Sequence, residues 1–182
     1  PQLAQFVSLK SIKSPFTLWS DSFSPKQWQE IAKECVSELN SGVNGVVLTQ
    51  GTDTIHYTSA ALSFMIKDQN KPVVVTGAQR SPDRGSFDGK LNLICSSIYA
   101  ANSNTRETVV AFHSSSSDGS CDVMRGTKVR KMHSTRRDAF KSINDSPLAK
   151  VSANGKIDFL QKTSSSKKED CSLDNVFEEK TA

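Results

Sequence analysis

The stretch Gly45-Val-Val-Leu-Thr-Gln-Gly-Thr-Asp-Thr54 decides how this chain is read. A short apolar run without alternation is what a strand buried on both faces requires. It stops at a polar turn carrying Thr52, Asp53 and Thr54. Two similar runs follow, Val73-Val-Val-Thr76 and Thr108-Val-Val-Ala-Phe112. Each ends in a polar segment, Gly77-Ala-Gln-Arg-Ser81 and His113-Ser-Ser-Ser-Ser-Asp118.

The intervals between these runs have helical spacing. Ser24-Pro25-Lys26-Gln27 has the form of a capping box with proline at the first helical position. Trp28, Ile31, Ala32, Cys35, Val36 and Leu39 then fall on one face, and Asn40 and Gly42 end the helix. Further helices are expected over residues 58–66 and 88–101. Alternating helices and buried strands predict an α/β fold, a Rossmann-like parallel sheet with flanking helices. In open α/β sheets the ligand crevice lies at the carboxyl ends of the strands, so the three polar segments should share one rim. Beyond residue 118 the pattern loosens. Asn154-Gly155, between Ala149-Lys-Val-Ser152 and Lys156-Ile-Asp-Phe-Leu160, predicts a β-hairpin with a type I′ turn. Residues 1–161 are expected to form the α/β domain, and the polar residues 162–182 a disordered tail.

Composition narrows the function. The 182 residues carry a net charge of +4 with 36% hydrophobic residues. That charge is too small to imply nucleic acid by itself. No apolar run approaches the roughly 20 residues needed to span a bilayer. The chain opens at Pro1 without a signal-like region, and a soluble cytoplasmic protein is expected. Cys35, Cys95, Cys121 and Cys171 are scattered, without metal-ligand or disulfide-framework spacing, so no metal site is expected.

The chemistry-bearing residues lie in two distant segments. A threonine hydroxyl is a weak nucleophile unless a neighbour takes its proton. Lys128-Val-Arg-Lys-Met-His-Ser-Thr-Arg-Arg137 offers a lysine for that task, and Asp53 could orient the pair. The bland alternatives are plain. Thr52 and Asp53 are both good helix N-caps, and a basic run is usually a solvated face. Arg80 and Asp83 could pair to shape the second loop, and His133 reads as a packing residue.

Several motifs in order carry a resemblance. Gly51-Thr-Asp-Thr54 with Tyr57-Thr-Ser-Ala-Ala61, and Thr76-Gly-Ala-Gln-Arg-Ser81 with Asp88 and Asn92, are similar to signatures of the L-asparaginase superfamily. Arg125-Gly-Thr-Lys-Val-Arg-Lys-Met-His133, Arg136-Arg-Asp-Ala-Phe140 and His56-Tyr-Thr-Ser-Ala-Ala-Leu-Ser-Phe-Met65 resemble one branch of it, the glutaminase subunits of the archaeal-type glutamyl-tRNA(Gln) amidotransferases. The resemblance covers roughly residues 18–160. It implies an asparaginase N-terminal-domain fold, here incomplete, and a glutaminase that supplies ammonia for transamidation of Glu-tRNA(Gln). Thr52 and Asp53 match its second catalytic threonine and the aspartate beside it, and Lys131 the lysine that completes that triad. Ser20, Asp21 and Gly51 fall where it binds substrate. It implies no cofactor in this chain, with ATP and Mg²⁺ on a larger partner subunit that binds tRNA, and a homodimer within a heterotetramer. Gln50 stands where the family usually has histidine, and the Gly-Gly-Thr strand that carries the family's first catalytic threonine is not among these residues. The stretch alone is therefore expected to be inactive. A free-standing L-asparaginase and a non-catalytic α/β fragment are the alternatives.

Overall fold

The computed structural model describes residues 3–163 and 170–174. Its strands are β1 (Val46–Thr49), β2 (Ile66–Lys67), β3 (Val73–Thr76), β4 (Thr108–His113), β5 (Ser120–Arg125), β6 (Val129–Lys131), β7 (Phe140–Ser142), β8 (Ala149–Ser152), β9 (Ile157–Phe159) and β10 (Ser172–Leu173). Its α-helices are α1 (Pro25–Asn40), α2 (Ile55–Met65) and α3 (Gly89–Asn102), with 3-10 turns at Ser20–Ser22 and Thr52–Thr54.

The main sheet has the order β1-β3-β4-β5-β8-β9. The first three strands are adjacent and parallel, as their apolar runs predict, with Val46 opposite Val73 and Val73 opposite Thr108. This register aligns their carboxyl ends, and the Thr76 hydroxyl donates to the Ala111 carbonyl at 2.8 Å. The other three strands extend the sheet antiparallel.

Successive side chains of a strand face opposite ways, and the core divides accordingly. Val73, Val75, Val110 and Phe112 pack with Ile31, Cys35, Leu39 and Leu62 of α1 and α2. Val74, Val109 and Ala111 pack with Cys95, Ile98 and Tyr99 of α3. Each fully buried aliphatic side chain contributes about 1.5–3 kcal/mol. The periodicity of α1 holds, with Ile31, Ala32, Cys35 and Leu39 buried, and the Ser24 N–H donates to Gln27 Oε1 at 2.9 Å. Burial pushes the Cys35 thiol up to about 12.

Three expectations need correction. Helix α2 starts at Ile55 rather than 58, because the 3-10 turn at Thr52 feeds straight into it. The β8–β9 hairpin exists, but its turn is not type I′, which needs positive φ at both central residues. Only Gly155 has it, at 95°. Asn154 instead uses its side-chain oxygen to accept the Lys156 N–H at 3.1 Å, and the loop closes on the glycine. Strands β5, β6 and β7 lie where the sequence pattern announces no strand. Part of the segment from 162 is described, and there β10 pairs with β2 while the Asp174 N–H donates to the Met65 carbonyl. The rest of that expected tail lies outside the described residues.

Candidate active site

The short β6–β7 ribbon brings the basic segment to the crevice. Gly126, just before it, lies against α2 and β4. A Cβ there would sit 2.8 Å from the Ser59 carbonyl, Ser63 Oγ and the Thr108 carbonyl. The Ser59 hydroxyl donates to the Gly126 carbonyl at 3.0 Å, so the ribbon is fastened to α2. Lys131 ends β6, opposite Phe140 of β7. The Phe140 ring packs on Phe112 with centroids 4.6 Å apart.

From this mount Lys131 reaches the turn after β1. Its Nζ donates to Thr52 Oγ1 at 2.7 Å and to Asp53 Oδ1 at 2.8 Å. Thr52 is buried, and the Lys131 side chain is 13% exposed while that of Asp53 is 73% exposed. Such a hydroxyl–amine distance permits direct proton transfer. Lys128 and Arg130 stay exposed.

Gly51 lets the Ser20 turn approach. A Cβ at position 51 would lie 2.6 Å from Ser20 Oγ. The Thr54 hydroxyl donates to the Ser20 carbonyl at 3.0 Å. Ser20 is thus buried beside Gly51 and Thr52, while Asp21 is exposed on the same turn. Gln50 donates through Nε2 to Thr54 Oγ1 at 3.0 Å.

The loop between β6 and β7 ties the three rim segments together. Gln79 of the second segment accepts the Thr52 hydroxyl at 3.2 Å and donates to the Ser134 carbonyl. Arg137 donates to the Ser116 carbonyl and pairs with Asp118 of the third segment at 2.6 Å. Underneath, the buried Asp88 carboxylate accepts the Gln79 N–H at 3.0 Å, the Arg80 N–H at 2.8 Å and Asn92 Nδ2 at 3.1 Å. Asn92 Oδ1 lies 2.6 Å from His113 Nδ1, and burial holds the His113 ring below the usual histidine range.

Two side-chain expectations fail here. No ion pair joins Arg80 to Asp83 among the described residues. The second loop is shaped by Asp88 instead, whose two oxygens hold consecutive backbone N–H groups. His133 is exposed and packs on nothing that would bury it. His56 of α2 is kept below its ordinary range by burial and by the charges of Arg130 and Lys131. Sequence reasoning misses Gln79 as a partner of Thr52. The rim rule marks the segment of Gln79, but no local pattern says which of its side chains turns inward. Among the described residues no group of three His, Cys, Asp or Glu side chains could hold a metal ion, and no helix is long and apolar enough to cross a membrane.

Fold and site together define a class: an α/β layer that gathers a hydroxyl, an amine and a carboxylate beyond the carboxyl ends of parallel strands. The chain belongs to the asparaginase family, whose N-terminal-domain model matches residues 1–165. It is 48% identical over 183 residues to a glutamyl-tRNA(Gln) amidotransferase subunit of Pyrococcus abyssi (strain GE5 / Orsay), covering all of this chain and 41% of that relative. A protein of the same name from Pyrococcus horikoshii is 51% identical over 161 residues, 88% of this chain and 36% of its own length. The chain therefore spans less than half of these relatives. Among solved structures it is similar to the thermostable L-asparaginase from Thermococcus kodakarensis, with a TM-score of 0.79, 30% identity, and coverage of 95% of this chain and 51% of that one.

Proposed function

We propose that this chain is the asparaginase-like portion of a glutaminase that releases ammonia from glutamine for conversion of Glu-tRNA(Gln) to Gln-tRNA(Gln). The observation that carries the reading is the Thr52–Lys131–Asp53 cluster. It occurs in a chain 48% identical along its whole length to a glutamyl-tRNA(Gln) amidotransferase subunit. The 30% identity to an L-asparaginase structure is lower, which favours the amidotransferase over a free-standing asparaginase.

Hydrolysis replaces the C–N bond of the side-chain amide by a C–O bond. Thr52 Oγ1, or a water aligned by it, attacks the amide carbon. Neutral Lys131 takes the proton of the attacking oxygen and returns a proton to the departing nitrogen, which leaves as ammonia; where Thr52 attacks, water then cleaves the resulting ester, freeing glutamate and restoring the hydroxyl. Backbone N–H groups of the Gly51 turn face the developing oxyanion. Asp53 keeps Lys131 aligned through the 2.8 Å contact. Ser20 and Asp21 bind the amino-acid backbone of glutamine beside that turn.

In this reading the ammonia passes to a larger subunit that holds the tRNA and uses ATP with Mg²⁺, and the protein works in the cytoplasm as a homodimer within a heterotetramer. A sheltered path is needed, because free ammonia is protonated and lost in bulk water. Purification of the full-length protein from native extract tests the reading. Recovery with a larger, tRNA-binding subunit and a preference for glutamine is expected. Recovery alone, with asparagine hydrolysed faster than glutamine, would overturn it.

A further inference from the structure

We infer that Gln79 is a positioning residue of this site, fixing the Thr52 hydroxyl and coupling it to the loop that follows Lys131. The inference deepens the reading above and rests on it. A carboxamide has one accepting end and one donating end. The Ser134 carbonyl can only accept, so it must face Gln79 Nε2, and the amide cannot be turned round. Gln79 Oε1 therefore faces Thr52 and takes its hydroxyl hydrogen at 3.2 Å. From the other side Lys131 Nζ donates to the Thr52 oxygen at 2.7 Å. The hydroxyl is held in one orientation, its hydrogen toward Gln79 and a lone pair toward Lys131.

The amide that holds it is itself firmly mounted. Its backbone N–H is gripped by Asp88 Oδ2 at 3.0 Å. Asp88 is fully buried, and Asn92, which binds it, also donates to the Gly77 carbonyl at 2.9 Å. Gln79 thus links three things: the rigid floor of the crevice, the reacting oxygen, and the loop after Lys131. In this arrangement the hydroxyl reaches Lys131 as a proton donor only by turning away from Gln79. Gln79 sets where the oxygen waits. Misplacing a reacting group by about 1 Å can cost about 100-fold.

The test uses the full-length protein with its partner subunit and measures ammonia release from glutamine. Gln79→Met removes both polar contacts at similar volume. A kcat at least about 10-fold lower with KM within about 3-fold is expected, since the oxygen is misplaced while the Ser20 side of the site is untouched. Gln79→Glu keeps an acceptor for Thr52 and loses the donor to Ser134. It should recover part of kcat, and its added charge should move the rising limb of the pH profile to higher pH by favouring the charged lysine. A merely structural role would not move that limb. Wild-type kcat in Gln79→Met overturns the inference, as does a Gln79→Glu variant no better than Gln79→Met with an unshifted profile. Thr52→Ala, assayed in parallel, separates the two claims. Loss there with no loss in Gln79→Met defeats this inference alone, and no loss in Thr52→Ala defeats the glutaminase mechanism beneath it.

Discussion

Lys131 Nζ lies 2.7 Å from Thr52 Oγ1, although 79 residues separate them in sequence. The contact joins a strand end of the parallel layer to a ribbon outside it. Three features sustain it: the close approach of Gly126 to α2, the Phe140–Phe112 packing behind the ribbon, and the ties between the β6–β7 loop and the rim.

Gly126→Ala should loosen the first of these. Two of the three atoms within 2.8 Å of the new methyl group are backbone oxygens, which cannot swing aside. Overpacking of this kind costs about 1–3 kcal/mol. Urea denaturation should show that loss, and the displaced ribbon should lower activity in the full-length protein. Unchanged stability would show that the ribbon is not seated on α2.

Phe140→Ala removes a ring that is 1% exposed. A loss of about 3–5 kcal/mol is expected from the vanished contacts and the cavity. Its midpoint in urea should fall accordingly. A loss below about 1 kcal/mol, well under the usual cost of such a truncation, would mean that Phe112 and Phe140 do not pack as described.

Asp138 links the same loop to acid stability. It is buried beside Arg136 at 2.8 Å and Lys141 at 3.0 Å. Burial alone would raise its carboxyl, but hydrogen bonds from Arg136 and Lys141 outweigh this and hold it at about 2. A carboxyl depressed in the folded state adds stability above its unfolded value near 3.9, and loses it as pH falls toward the folded value. The contribution is on the order of 2–3 kcal/mol, present at neutral pH and lost between about pH 4 and 2. Asp138→Asn should abolish that part of the acid dependence. Identical acid unfolding curves for the variant and the parent would refute this.

The parallel layer is legible because buried strands leave unbroken apolar runs, as at Val73–Val75, and α1 is legible from its periodic face. Strand β5 is hidden because Ser120, Asp122 and Arg125 interrupt its apolar pattern while Cys121, Val123 and Met124 are the buried positions. Strands β6 and β7 are three residues each and rich in charge, too short for any period to show. The site divides in the same way. Thr52 and Asp53 stand where a strand-end rule places them, whereas Lys131 is assigned only through a family resemblance. Gln79 matters through neighbours remote in sequence, which local pattern cannot name. Asn154-Gly155 shows how a strong local signal is overruled, since the asparagine side chain supplies a hydrogen bond that keeps its backbone out of the left-handed region.

The central claim is that Lys131 serves Thr52 as a base. The most direct measurement is ammonia release from glutamine by the full-length protein carrying Lys131→Arg, beside Thr52→Ala. Arginine keeps the positive charge facing Asp53 but cannot be deprotonated in a protein. Both variants should fold and lose about 100- to 10,000-fold in rate. Ammonia release by Lys131→Arg at the wild-type rate would contradict the claim.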